Sequence, residues 1–254
     1  MAMAEATWGL VDRAELTRIG VVSPHFDDAA QGASHLLSTY RGSTVITTFA
    51  GRPPAYPPEP TPWDAAGGFA PGDDVVAVRR QEDAQAMAVL DADPVWLEFS
   101  DHQYLAPRER PGPDQVAPAL EEAIAELDPT AVFLPMGLAN PDHVVTHDAG
   151  LLVRDRHQEL AWFCYEDHGY KHLPGLLAWR VARLFRSGLW PTPAVVPVEP
   201  DAARKRRAIA CYRSQVAPLE REHALVERLD ANVPEQFWRL APPPRGWEPL
   251  AELI

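Results

Sequence analysis

Short apolar runs recur along the chain up to residue 165, and most are followed by a polar turn and then by a segment with helical spacing. The runs are rich in β-branched and aromatic residues, which favour strands. The pattern predicts five strands, at residues 19–22, 45–50, 95–99, 131–134 and 162–165. Spacing of apolar residues at three- and four-residue steps predicts helices at residues 29–40, 74–90, 114–127 and 146–157, and one long helix over 201–230.

Strands that alternate with helices indicate a parallel sheet, because each parallel strand needs a crossover connection. We therefore expect an α/β, Rossmann-like fold: a mostly parallel sheet with right-handed crossovers and helices on both faces. Without an internal repeat or a convincing linker, the prediction is a single domain over residues 1–254. Residues 52–62 carry six prolines and interrupt the pattern. This segment is either a wall or lid of a substrate cleft or an ordinary surface loop.

Composition and charge exclude some classes of protein and some kinds of partner. The chain of 254 residues is 46% hydrophobic, which excludes a disordered protein. Its net charge of −13 argues against nucleic acid and anionic membranes as partners. No apolar run approaches the roughly 18 residues of a membrane span, and residues 1–16 lack the apolar core of a signal peptide, so we expect a cytoplasmic protein. Nothing in the sequence indicates an oligomeric state.

Polar residues gather where the predicted strands end. Four of the five strands are followed by a histidine or an acidic residue, as a site at the carboxyl edge of a parallel sheet requires. The first such turn holds His25, Asp27 and Asp28. His25 and Asp28 can point at one position if Asp28 lies in the first helical turn, whereas Asp27 must point elsewhere. The arrangement suggests two metal ligands and one free carboxylate; a plain helix N-terminus explains the aspartates but not the histidine.

The same turn carries a resemblance to a known family. Residues 23–28 read Ser-Pro-His-Phe-Asp-Asp and resemble the His-Pro-Asp-Asp signature of the PIG-L/LmbE-like zinc N-deacetylases, which remove acetyl groups from N-acetylglucosaminyl compounds. Phe26 stands where the family usually has Pro, and Ala29 where it often has Glu. A second segment, residues 140–143, reads Asn-Pro-Asp-His and resembles the family's His-Pro-Asp-His. Taken alone, His143 would be a helix-start or core histidine.

The resemblance implies an LmbE-like fold and a metal site. By position, His143 would join His25 and Asp28 as the third ligand of a catalytic zinc ion, and the same donors also suit Fe²⁺. Asp27 would be the general base that takes a proton from the attacking water. Asp142 would orient a neighbouring side chain. The implied activity is hydrolytic removal of an N-acetyl group from an amino sugar, in a small molecule or a glycosylated natural product.

Asn140 is the position at which the chain departs most from this family. The family usually has a histidine there, which assists the oxyanion and protonates the departing amine. An asparagine amide can donate a hydrogen bond to an oxyanion, but it cannot supply a proton at neutral pH. We expect Asp27 to supply the proton, acting first as base and then as acid. His147 and His168, near the inferred sheet edge, are the other candidates for this proton donor and would also contact the substrate.

Weaker segments extend the resemblance. Residues 79–84 resemble the family's Arg-x-x-Glu helix, and Ser100-Asp101 resembles the Asp that ends its next strand. By analogy Arg79 and Asp101 would contact sugar hydroxyls; the alternatives are a surface ion pair for Arg79 and a helix cap for Asp101. Similarity to members from antibiotic pathways, which deacetylate glycosylated natural products, lies in residues 163–167 and 208–215.

Two other functions stay open at this point. A non-haem Fe(II) oxygenase also uses two histidines and one carboxylate, although it leaves Asp27 without a role. A binding protein on a degenerate deacetylase scaffold is consistent with Asn140. The chain has no dinucleotide-binding, phosphate-binding or nucleophile-elbow motif. Cys164 and Cys211 lack the surroundings of a nucleophile, and their pairing stays open.

Overall fold

A seven-stranded sheet organises the protein, whose computed structural model describes residues 9–230 and 234–242. In chain order the strands are β1 (Ile19–Ser23), β2 (Thr44–Thr47), β3 (Asp93–Trp96), β4 (Ala131–Pro135), β5 (Ala161–Tyr165), β6 (Trp190–Ala194) and β7 (Phe237–Ala241). They lie in the order β3-β2-β1-β4-β5-β7-β6, and the five strands from β3 to β5 are parallel. Strand β7 is antiparallel to both of its neighbours. The prediction of a mostly parallel α/β sheet is confirmed.

Helices cover both faces of this sheet, as predicted. In chain order they are α1 (Asp28–Gly32), α2 (Ser34–Thr39), α3 (Pro62–Ala66), α4 (Val75–Leu90), α5 (Pro113–Leu127), α6 (Pro141–Arg156), α7 (Leu176–Arg186), α8 (Ala202–Ile209), α9 (Arg213–His223) and α10 (Leu225–Asp230). Successive strand residues point to opposite faces. Val21 therefore packs in the core beneath α1, α2, α4 and α8, and Val22 in the core beneath α5, α6 and α7.

The strand order creates a crevice between β1 and β4. From β1 the chain proceeds to β2 and β3 on one side, then crosses back to place β4 and β5 on the other side of β1. The loops that follow β1 and β4 consequently leave the sheet in opposite directions. Open α/β sheets bind ligands at such a switch point, outside the carboxyl ends of the strands. Both predicted metal motifs follow directly after these two strands.

The predicted helix over residues 29–40 is two helices, α1 and α2, which meet at Ala33. Ala33 has φ −141° and ψ 21°, outside the helical range. The break exposes the N-terminal amides of α2, and the Glu235 carboxylate accepts hydrogen bonds from His35 N at 3.0 Å and Leu36 N at 3.4 Å. Glu235 is far away in the sequence, so no local pattern indicates the break.

Helix α6 begins at Pro141, earlier than the predicted start at residue 146. Asn140 is its N-cap, and Asn140 Oδ1 accepts a hydrogen bond from Asp142 N at 2.8 Å. Pro141 takes the first helical position, where an N–H would have no partner in the helix. An Asn-Pro pair is typical of a helix N-terminus, but the prediction used only the spacing of apolar residues and therefore placed the start of this helix too late. As a result, Asp142 and His143 lie in the first helical turn.

The prediction of one long helix over residues 201–230 is wrong, because the segment folds as α8, α9 and α10. Between α8 and α9 the chain turns so that Tyr212 enters the core, where its hydroxyl donates to Asp83 Oδ1 at 2.8 Å. The pattern also missed β6 and β7. Strand β6 contains Pro191 and Pro193, which are unusual in strands because proline has no N–H to donate. The strand tolerates them because it lies at the edge of the sheet.

Among the helices of the described residues, none is both long enough and apolar enough to cross a bilayer. The cytoplasmic location expected from the sequence stays a prediction. The thiols of Cys164 and Cys211 are both free, so the two cysteines form no disulfide.

Candidate active site

A cleft of about 290 Å³ opens at the carboxyl edge of the sheet, over the crevice between β1 and β4. Its lining comes from the loops after β1, β2, β3, β4 and β5, together with side chains of α4 and α9. Its lining includes three aspartates and four histidines, whereas Phe49, Trp63, Val76 and Leu219 contribute apolar surface. A concave site with both polar groups and apolar side chains is typical of a small-molecule site.

His25, Asp28 and His143 come together in the lining of this cleft. Asp28 Oδ2 lies 3.4 Å from His25 Nδ1 and 3.2 Å from His143 Nε2, and the three ligand atoms lie within 4.8 Å of one another. The turn after β1 is shaped by Ser23, whose Oγ accepts from Ala29 N at 3.0 Å and donates to His25 O. Asp28 then occupies the first position of α1 and His143 the first turn of α6.

The outer nitrogen of each central imidazole donates to a carboxylate. His25 Nε2 lies 3.0 Å from Asp142 Oδ2, and His143 Nδ1 lies 2.5 Å from Asp167 Oδ1. Histidines that bind a metal through one nitrogen almost always donate the other N–H to such a partner, which fixes the tautomer and the ring orientation. The donor set, two imidazole nitrogens and one carboxylate oxygen with hydrogen-bonded outer partners, therefore fits a divalent cation.

The charges around His25, Asp28 and His143 favour a positive charge at the position where the three side chains meet. Burial raises the pKa of Asp28, but the imidazoles of His143 and His25 outweigh burial and hold its pKa well below the usual range. Burial lowers the pKa of His143, yet the carboxylates of Asp28 and Asp167 raise it to about 9. Protons or a cation at this position are thus stabilised by the surrounding carboxylates.

Asp27 lies in the cleft lining beside this cluster but is not part of it. Its Oδ2 accepts a hydrogen bond from Gln31 Nε2 at 2.7 Å. Burial, and secondly the charge of Asp28, raise the pKa of Asp27 to about 7. A carboxylate with a pKa in this range is suited to exchange protons near neutral pH.

Asn140 faces the cleft, but its amide has structural partners. Its Oδ1 caps α6, as described above, and its Nδ2 donates to the Tyr170 hydroxyl at 3.5 Å. The Tyr170 ring stands edge-on against His143, with ring centroids 5.2 Å apart. Burial raises the pKa of Tyr170 to about 12, so its hydroxyl stays protonated and can donate. Tyr170 was not among the residues predicted from the sequence.

Asp142 also accepts hydrogen bonds from a second histidine, His102, which was not predicted as a site residue from the sequence. His102 N donates to Asp142 Oδ2 at 3.1 Å, and His102 Nδ1 lies 3.0 Å from the same oxygen. Asp101 Oδ1 lies 3.3 Å from His102 Nδ1, and hydrogen bonds from His102 to Asp101 and Asp142 raise the pKa of His102 to about 9. The available signal was the run Ser100-Asp101-His102 at the end of a predicted strand.

Arg79 and Asp101, the predicted sugar contacts, both line the cleft. Arg79 Nη2 lies 2.7 Å from Asp64 Oδ1 in a buried ion pair, so the alternative of a surface ion pair does not hold. The Tyr104 hydroxyl donates to the other oxygen of Asp64 at 2.8 Å. Asp101 accepts from the backbone N–H of Gln103 at 2.9 Å and therefore also serves as a cap.

The structure does not bring His147 and His168 into the cleft lining. His147 is fully buried in α6, and its Nδ1 donates to Pro135 O at 2.8 Å. His168 lies beside His35 and Lys205, in a small separate pocket. Burial lowers the pKa of both His147 and His168 to about 3, so both imidazoles are neutral.

The proline-rich segment leads into α3, which forms one wall of the cleft. Trp63 of α3 lines the cleft, and its Nε1 donates to Gln215 Oε1 at 2.8 Å. The Tyr56 ring stands edge-on against Tyr104, with centroids 5.6 Å apart. None of residues 52–62 themselves is among the described residues that line the cleft, so both interpretations of this segment, cleft wall or surface loop, stay open.

Comparison with known proteins gives one family and several solved structures. The family described as "PIG-L: GlcNAc-PI de-N-acetylase" matches residues 20–153. A search among curated proteins found no match. The zinc-inhibited form of teicoplanin deacetylase Orf2 is 26% identical with a TM-score of 0.72, covering 91% of this chain and 100% of that one. The A40926 pseudoaglycone deacetylase Dbv21 is 27% identical with a TM-score of 0.70, covering 89% and 98%.

A more distant structure shares the fold alone. The N,N'-diacetylchitobiose deacetylase from Pyrococcus horikoshii is 16% identical with a TM-score of 0.53, covering 95% of this chain and 90% of that one. The family match, by contrast, covers more than half of the present sequence and includes both segments that supply the central His-Asp-His cluster. The chain therefore belongs to the PIG-L family of GlcNAc-PI de-N-acetylases.

Proposed function

We propose that the chain is a zinc-dependent N-deacetylase that hydrolyses the acetamide of an amino sugar carried by a glycosylated natural product. The observation that carries the proposal is the His25–Asp28–His143 cluster, in which the outer nitrogens of both imidazoles donate to carboxylates, with Asp27 left beside it. A catalytic metal site needs an open ligand position and a nearby base, and this arrangement provides both.

The substrate class is supported by the relatives and by the cleft. A teicoplanin deacetylase and an A40926 pseudoaglycone deacetylase align over nearly their whole length with this chain. Arg79 and Asp101 offer polar groups near the cluster, where they would contact sugar hydroxyls. Trp63 and Leu219 contribute apolar surface to the same cleft, which would accommodate an apolar part of a larger glycoside.

His25, Asp28 and His143 would hold the metal, and zinc is the ion that best suits their donor atoms, with Fe²⁺ as the alternative. A divalent ion at this position would polarise the amide carbonyl and bring the pKa of a water molecule toward neutrality. Asp142 and Asp167 keep the two imidazoles in the tautomer that turns a nitrogen toward Asp28.

Asp27 would take the proton from the water that attacks the carbonyl carbon. Its carboxylate is held at Oδ2 by Gln31 and lines the cleft without joining the metal cluster. As negative charge develops on the former carbonyl oxygen, the Asn140 amide and the Tyr170 hydroxyl are neutral donors in the cleft lining that could stabilise it, and the Tyr170 ring contacts His143. Such preorganised donors lower the barrier by stabilising the oxyanion.

The experiment is acetate release from a panel of N-acetylated sugars by the zinc-loaded protein. The panel contains free N-acetylglucosamine, a chitobiose and an N-acetylglucosaminyl pseudoaglycone of a glycopeptide. We expect release of equal amounts of acetate and free amine, fastest with the pseudoaglycone. Binding of the pseudoaglycone without any acetate release would contradict the proposal and favour a binding protein on a deacetylase scaffold. Oxygen consumption during turnover would instead point to an oxygenase.

A further inference from the structure

Amide hydrolysis needs a proton donor as well as a base, because an amine leaves poorly as an anion. Asn140 cannot supply this proton, and its amide already caps α6 and contacts Tyr170. Besides the two histidines of the metal cluster, the described residues that line the cleft include two more imidazoles, His102 and His223. The candidates for the proton donor are therefore His102, His223 and Asp27.

We propose that His102 protonates the departing amine and that Asp142 is the positioning residue that holds it for this task. The inference rests on the proposed deacetylase function. The proposal assigns the proton donor to the loop after β3, whereas the resemblance to the family would place it at residue 140.

The geometry points to His102 through its contacts with Asp142. Both the backbone N–H and Nδ1 of His102 meet the same oxygen, Asp142 Oδ2, at 3.1 and 3.0 Å. Nδ1 is thus committed to the carboxylates, and the opposite ring nitrogen, Nε2, is left for the cleft that His102 lines. Ligand atoms of His25 and His102 lie within 4.8 Å of each other, so the His102 imidazole lies beside one of the residues of the metal cluster.

The same oxygen of Asp142 also accepts from His25 Nε2 at 3.0 Å. Asp142 consequently links a metal-binding imidazole and the proposed donor in one hydrogen-bonded unit. A carboxylate behind an imidazole stabilises its protonated form, which is the form that donates. The pKa of His102, raised to about 9 by these partners, agrees with that form being present at neutral pH.

His223 lacks this arrangement. Its ring packs edge-on against Tyr170 with centroids 5.1 Å apart, and among the described residues no carboxylate makes a hydrogen bond to its nitrogens. Burial lowers the pKa of His223, which disfavours the imidazolium form that would donate a proton. Asp27 would have to serve as base and acid in turn, whereas His102 separates the two tasks.

The proposed step balances as follows. When the C–N bond of the tetrahedral carbon breaks, its electron pair stays on nitrogen, which receives the proton from His102 Nε2. The oxyanion re-forms a carbonyl, which gives acetic acid. The proton that Asp27 took from water returns to His102 through solvent, and acetic acid transfers its own proton to the amine. One water is consumed, and acetate and a protonated amine are the products.

The test compares His102→Gln with His157→Gln in the zinc-loaded enzyme. His157 Nε2 also lies 2.8 Å from a carboxylate, that of Glu121, but outside the cleft, so it is a matched control. We expect His102→Gln to lose about 10²-fold or more in kcat, the scale of general acid catalysis, with KM and zinc content little changed. His157→Gln should match the wild type.

Three further readouts separate a proton donor from a merely structural residue. Added imidazole should restore part of kcat to His102→Gly. Asn140→His in the His102→Gln background should recover about 10-fold in kcat, because a histidine there would again have Asp142 beside it. In metal-free protein, one downfield imidazole N–H resonance of the wild type should be absent in His102→Gln and shifted in Asp142→Asn, whereas that of His143, which donates to Asp167, should remain in both variants.

Wild-type acetate release combined with unimpaired kcat in His102→Gln would overturn the role of His102 and leave the proposed function standing. Collapse of kcat in His223→Gln under the same conditions would assign the proton to His223. A kcat loss in His102→Gln that tracks loss of zinc would make His102 structural. If the wild type releases no acetate from any substrate of the panel, the proposed function fails, and the role of His102 fails with it.

Discussion

The substitution Asp167→Asn tests the proposed metal site without removing one of its ligands. Asp167 accepts two hydrogen bonds, from His143 Nδ1 at its Oδ1 and from Leu138 N at its Oδ2, the latter at 3.2 Å. An asparagine amide has one accepting oxygen and one donating nitrogen, so only one of these two donors keeps an acceptor. Either His143 shifts its proton to the nitrogen that faces Asp28, or the Leu138 amide stays unpaired in a buried position.

Both outcomes weaken zinc binding. Loss of an outer hydrogen bond to a metal-binding histidine typically reduces metal affinity about 10–100-fold. That range corresponds to about 1.4–2.7 kcal/mol of binding free energy. The side chains of Asp167 and His143 are only 1% and 2% exposed, so water cannot replace the lost acceptor, and we expect a value toward the upper end.

The assay is competition for zinc between the protein and a chelator of known affinity, followed by kcat at saturating zinc. Asp155→Asn makes the same chemical change near the end of α6, on a side chain that is 67% exposed and pairs with Arg154, and it should bind zinc like the wild type. Equal zinc affinity for Asp167→Asn and the wild type would refute the reasoning that Asp167 orients His143.

Three other predictions concern the metal, the base and the core. His25→Ala should lose most of its zinc in metal analysis, and full retention would remove His25 from the ligand set. Asp27→Asn should keep its zinc and lose about 10²-fold in kcat; an empty site would mean that Asp27 and Asp28 have exchanged roles. Tyr212→Phe should cost about 1–3 kcal/mol of unfolding free energy in urea, because it takes a donor from buried Asp83; unchanged stability would contradict this.

The sequence could predict what is encoded locally. The strand runs, their alternation with helices and the spacing of His25 and Asp28 in one turn all act over a few residues, and the structure has the predicted sheet class. The His143 segment follows a second buried strand, and parallel strands bring their carboxyl ends to one edge. His25, Asp28 and His143 are within reach of each other for that reason.

Contacts between distant segments could not be predicted in this way. Asp167 meets His143, and His102 meets Asp142, only because β3, β4 and β5 end at the same edge of the sheet. The break at Ala33 depends on Glu235, which no local pattern connects to it. Tertiary packing decides these features, and it overrides local propensity wherever the two conflict.

The proposed function requires that one zinc ion, held by His25, Asp28 and His143, supports deacetylation by this chain. Zinc titration of the metal-free protein tests it most directly, with acetate release from an N-acetylglucosaminyl pseudoaglycone as the signal. We predict that the rate rises linearly to one equivalent of zinc per chain, and that His143→Ala stays inactive across the titration. Acetate release by the metal-free protein, or a His143→Ala response identical to that of the wild type, would contradict the claim.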